Sequence, residues 1–89
     1  MRFTITRLCG GKALMAASKD EMDLDMDKAE EIMLNRGKIK SKEGSMLVAM
    51  WGEMEVTIYQ QGKVMFFPLS DKSKAVDYAT DIIERINSR

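Results

Sequence analysis

The chain contains no histidine, one cysteine (Cys9) and one proline (Pro68). Without histidine, imidazole general-base chemistry, histidine metal ligation and a Ser-His-Asp triad are excluded. A single thiol forms no intrachain disulfide and supplies no zinc site, which sets the expectation of a reducing, cytoplasmic setting. One proline and six glycines are too few for a collagen-like or Pro-rich linker chain. An excess of charge of either sign is also lacking. Lys plus Arg equals Asp plus Glu at 14 each, so no global basic field recruits nucleic acid. The longest unbroken apolar run, Met46 to Trp51, falls far short of a signal-peptide core or a membrane span, so no membrane partner is expected.

What is present is 89 residues, 45% hydrophobic and 31% charged, the balance of one soluble globular domain over residues 1–89. A chain this short buries only roughly 60–65% of its unfolded surface, so nearly every apolar face must be used. Ala75, Val76, Ala79, Ile82, Ile83 and Ile86 form one stripe at helical spacing, with Asp77, Asp81, Glu84 and Arg85 on the other side. The spacing predicts a helix over Lys72 to Asn87, with Ser70 or Asp71 as its N-cap. A second helix is predicted near Asp27 to Arg36. Met22, Met26, Ala29 and Met33 make its stripe, Ile32 widens it, and Asp23, Asp25 and Asp27 gather at its positive end. Gly37 stands where a left-handed residue closes a helix.

The remaining segments read as strands. Phe3 to Thr6 alternates and turns at Cys9-Gly10-Gly11-Lys12 into Ala13 to Ala17. Met46 to Trp51 reads as a buried strand, and Glu53 to Tyr59 alternates with Met54, Val56 and Ile58 on one face. After Gln60-Gln61-Gly62, Lys63 to Phe67 returns as a strand that Pro68 stops. Lys38 to Gly44 reads as a loop. The expected fold is α+β: a two-layer sandwich of a curved antiparallel sheet with two helices on one face, in the order ββαβββα.

Candidate chemistry is sparse. Asp23-Leu24-Asp25-Met26-Asp27 resembles the opening of a calcium loop, but Lys28 stands where its glycine belongs and Leu34 where its closing Glu belongs. Cys9-Gly10-Gly11-Lys12 lacks the spacing of a phosphate-binding loop and reads as a turn. Cys9 has Arg7 and Lys12 nearby in sequence but no base to activate it. Glu53 and Glu55 share a solvent-facing side of their strand. No catalytic residue, metal site or cofactor is expected, and the protein reads as a non-enzyme. The nine Met residues read chiefly as core filler, among them Met22, Met26, Met33, Met54 and Met65.

The informative feature is the second face of the sheet. If Met54, Val56 and Ile58 meet the helices, Glu55, Thr57 and Tyr59 point away, and Thr4 and Thr6 oppose Phe3 and Ile5. Val64 and Phe66 alternate with Met65 and Phe67, so one side of that strand adds Met and aromatic surface to an uncovered face. Thr4, Thr6, Thr57, Tyr59, Met65 and Phe67 are therefore the expected partner-binding residues.

From about Met46 to Ile86 the chain resembles one repeat of the TATA-box-binding protein family. The resemblance rests on an apolar strand, a strand ending Ile58-Tyr59, the Gln60-Gln61-Gly62-Lys63-Val64 turn and a Lys72-Ser73 helix start with Ala75, Ala79 and Ile83. It implies a curved sheet whose helix-free side binds. That family's DNA-bending protein carries two such repeats and inserts Phe wedges between base steps. This chain has room for one repeat, so a saddle requires a homodimer. Tyr59 falls on one wedge position; no aromatic stands at the other, near Gly44-Ser45. Three functions follow as expectations. The first is a binding or assembly module using the sheet face, as a homodimer that buries Tyr59, Met65 and Phe67 or with a protein partner. The second is a nucleic-acid binder whose basic segment Arg36, Lys38, Lys40 and Lys42, with Lys63, contacts phosphates. The third is a small-ligand protein, which requires a deep pocket between helices and sheet.

Overall fold

A computed structural model describes residues 2–88, which hold six strands and two helices. In chain order these are β1 (Phe3–Leu8), β2 (Ala13–Ser18), α1 (Met26–Leu34), β3 (Lys38–Glu43), β4 (Met46–Trp51), β5 (Met54–Tyr59), β6 (Lys63–Phe67) and α2 (Lys72–Asn87). The strands form a single antiparallel sheet in the order β1-β2-β6-β5-β4-β3. α1 carries the chain from β2 to the far edge, and three successive hairpins bring it back until β6 docks beside β2.

The segment expected as a loop, Lys38 to Gly44, is a correction to the sequence reading, because β3 occupies most of it and the order becomes ββαββββα. The register explains why its pattern was hidden. Ile39 lies opposite Ala49 and Lys42 opposite Leu47, and a bulge between Ile39 and Ser41 shifts the parity within the strand. A three-residue interval thus returns to the same face, and no apolar alternation survives. As an edge strand it needs only Ile39 to reach the core.

Both helices start on an aspartate. Asp25 Oδ1 accepts from the backbone N–H groups of Asp27 and Lys28, and Asp71 Oδ1 from those of Ser73 and Lys74. Each carboxylate satisfies donors that the first turn leaves unpaired, so Asp71 rather than Ser70 is the cap of α2. α1 packs over β3 and β4, α2 over β1 and β2, and the helices touch each other. Their buried faces (Met26, Ala29 and Met33; Ala75, Ala79, Ile82, Ile83 and Ile86) join Leu14, Ala16, Leu47, Ala49, Val56, Ile58, Val64 and Phe66 in one core. All eight strand residues point to the same side of the sheet, so the helices cover one face and the core lies between the layers.

Gly37 does not adopt the left-handed conformation expected of a helix-closing glycine. Its role is close approach: a β-carbon there would lie 1.9 Å from the Met50 carbonyl oxygen. Among the described residues, no helix is long and apolar enough to cross a membrane.

Candidate functional site on the helix-free sheet face

Strand parity places every second residue on the side away from the helices. The register aligns these into three rows. The first runs Thr4, Ala17, Lys63, Tyr59, Met46 and Glu43; the second runs Thr6, Met15, Met65, Thr57, Val48 and Ser41. The third pairs Leu8 with Ala13 at one end and continues through Phe67, Glu55, Met50 and Lys38. The middle row is uncharged from edge to edge, and the charged residues lie in the rows on either side.

Phe67 is 40% exposed, whereas its neighbour Phe66, on the helix side, is completely buried. Met15, Met46, Val48, Met50, Tyr59 and Met65 are half-buried, while Thr4 and Thr6 are exposed on β1. Thr57 belongs to the same face but is only 3% exposed, sealed beside its register partners Val48 and Met65. It forms the floor of the surface and offers a partner little contact. Met15, Met46, Val48 and Met50 belong to this face and were missed by the sequence reading. The signal was available. Once Leu47 and Ala49 are assigned inward, antiparallel parity sends Met46, Val48 and Met50 outward. Unbroken apolarity had made that strand look buried on both sides. The methionines divide accordingly: Met26 and Met33 lie in the core, Met22 and Met54 pack against it, and Met15, Met46, Met50 and Met65 lie across the sheet.

The basic candidates are not brought together. Lys42 lies on the helix side and pairs with Asp27 and Glu30 of α1, whereas Lys40 reaches Glu55 at 3.0 Å. Arg36 pairs with Asp81 of α2, and its guanidinium lies 4.6 Å from the centre of the Trp51 ring. Tyr78 meets Trp51 and Phe66 edge-on, with ring centres 4.9 and 5.8 Å apart. Lys38 and Lys63 do lie on the helix-free face, but three strands apart and in different rows.

The acidic run is occupied structurally as well. Asp23 accepts from the Gln60 side chain, Asp25 caps α1 and Asp27 holds Lys42. Among the described residues no group of three or more Cys, Asp or Glu is placed to hold a metal ion. Cys9 is exposed and has a positive φ of 53° in the turn between β1 and β2. Two surface depressions, of about 430 and 450 Å³, lie beside Lys12, Ser70 and Lys74 and beside Asp25, Lys42 and Gln60. Between the layers, Phe66, Leu14, Met33 and Leu47 fill the space expected for a ligand pocket.

Hydrogen bonding from Arg36 holds the Asp81 carboxyl below the usual carboxylate range against the opposing effect of burial, with Arg85 assisting. Hydrogen bonding and attraction from Lys42 do the same for Asp27. A carboxyl whose pKa falls on folding stabilises the folded form above its unfolded pKa, and that contribution is lost as pH falls through the folded value. The urea midpoint is therefore expected to drop as pH is lowered from neutrality to about 3. Asp81→Asn, measured over the same range, is expected to show a smaller drop. An equal drop in the variant would show that the Arg36 pair contributes nothing to the acid response.

No protein-family model matches the chain, and comparison with curated proteins and with solved structures finds no significant match. The functional reading therefore rests on the geometry.

Proposed function

We propose that this protein is a non-enzymatic binding or assembly module of the reducing cytoplasm, with a fold of the TATA-box-binding type. In this reading it works as a homodimer and presents its helix-free sheet face to an apolar protein surface. The observation that carries the reading is the uncharged middle row, with Met15, Met65 and Val48 half-buried and Phe67 exposed beside it. An apolar sheet face of this kind usually marks an interaction site, and flexible thioethers adapt to a partner's relief. The family resemblance rests on the elements from β4 to α2, and both helices lie on the face opposite the candidate surface.

The nucleic-acid alternative draws on Arg36, Lys38, Lys40, Lys42 and Lys63. The ion pairs already held by Arg36, Lys40 and Lys42 weigh against it, because phosphate would have to displace a bound carboxylate.

Methionine methyl NMR tests the face directly. A partner isolated from source cells, purified and added back is expected to shift or broaden the methyl signals of Met15, Met46, Met50 and Met65, leaving Met26 and Met33 unchanged. Met65→Glu is expected to weaken that binding at least about tenfold. Perturbation confined to Lys-flanked amides of β3, by nuclease-sensitive material, would replace this reading with the nucleic-acid one.

A further inference from the structure

The sheet is open, and its two edges are built differently. The β3 edge carries Lys38, Lys40 and Lys42 and a bulge, devices that keep another strand from pairing there. The β1 edge, Phe3-Thr4-Ile5-Thr6-Arg7-Leu8, has six residues paired in unbroken register with β2, no proline and one charge. The Lys19 N–H donates to the Arg2 carbonyl at 3.0 Å, which makes Arg2 and Lys19 a hydrogen-bonded pair. Alternation along the ladder then turns the backbone groups of Thr4, Thr6 and Leu8 toward β2 and those of Phe3, Ile5 and Arg7 outward.

From this juxtaposition we infer that two copies join through their β1 edges, antiparallel about a two-fold axis at Ile5. This takes the homodimer of the proposed function and assigns its joint. In that register Ile5 meets its own copy and Phe3 meets Arg7, so every outward N–H and C=O of the three residues finds a partner. The match is self-complementary, as a closed two-fold contact requires. Pairing β1 with the β3 edge of another copy would instead build an open chain, and there the bulge and lysines oppose it. Zero net charge leaves no overall repulsion between copies. The joint also enlarges the binding surface. Six strands of this length offer roughly 500 Å² in projection, and the joined twelve strands offer roughly 1,000 Å².

Sedimentation velocity and amide hydrogen exchange over a concentration series test the joint. The expected result is a dimer at high micromolar concentration, with the amides of Phe3, Ile5 and Arg7 gaining protection as it forms. Arg7→Pro removes an outward N–H at an exposed side chain and is expected to raise the dimer dissociation constant at least about tenfold. Ile5→Lys, which sets like charges across the axis, is expected to do the same, and Met65→Glu to leave the dimer intact. A wild-type monomer, or dimerisation without protection of those amides, would overturn the proposal. Loss of the dimer in Met65→Glu but not in Arg7→Pro would also overturn it, in favour of copies stacked face to face. Loss of partner binding in Met65→Glu bears only on the face and leaves the joint standing.

Discussion

Phe66→Ala is expected to destabilise the protein by about 3–5 kcal/mol, read from urea unfolding followed by near-ultraviolet circular dichroism. Phe66 is completely buried at the centre of the sheet, lies opposite Val56 and Leu14, and receives the edge of Tyr78. Its removal leaves a cavity under α2 that rigid sheet neighbours cannot close. A domain of this size has a total stability of roughly 4–13 kcal/mol, so the variant stands at the margin of folding. Phe67→Ala, one residue away, is expected to cost about 1–2 kcal/mol, because that residue is 40% exposed. The same truncation removes an exposed aromatic from the helix-free face, so under the proposed function its larger effect falls on partner affinity. Equal destabilisation by the two changes would contradict the parity on which the whole site rests.

Gly37→Ala is expected to cost about 2–4 kcal/mol, more than an alanine normally costs anywhere on a surface. The added carbon would lie 1.9 Å from the Met50 oxygen and 3.0 Å from its carbonyl carbon, and no rotamer change can relieve a clash with backbone. The chain must move where it leaves α1 and enters β3, beside the Lys38–Met50 pair and the Arg36–Trp51 stack. Gly44 is the control. An added carbon there meets nothing within 4 Å, and only its φ of +51° opposes alanine, for roughly 1 kcal/mol. Comparable losses at the two positions would show that backbone conformation, and not close approach, makes Gly37 necessary.

The two glycines illustrate what could be read from the chain. A glycine after a helical stripe suggests a left-handed cap, and local spacing offers no other explanation. The actual constraint is a carbonyl 13 residues away, brought there by the β3–β4 pairing. The missed strand has a similar origin. Lys38-Ile39-Lys40-Ser41-Lys42-Glu43 looks patternless because the bulge breaks its alternation, and the carboxylates that pair with Lys40 and Lys42, those of Glu55, Asp27 and Glu30, are distant in sequence. The helix-free face was legible at Thr4, Thr6 and Tyr59, where strands alternate, and at Met65 and Phe67 once Val64 and Phe66 are assigned to the helices. It was missed at Met46, Val48 and Met50, because both faces of β4 are apolar and its parity becomes readable only once Leu47 and Ala49 are assigned inward.

Local sequence alone determined the extent of α2, the position of α1 to within a turn, five of the six strands and which residues of β5 and β6 face the helices. These are settled within a few residues by periodicity, capping chemistry and glycine or proline punctuation. Tertiary structure alone decided the sixth strand, the order β1-β2-β6-β5-β4-β3, the need for Gly37 and the contrast between a guarded edge and an open one. Each of these depends on which segments become neighbours across the sheet. That choice follows from burying one shared core, a property of the whole chain that no short window of residues contains.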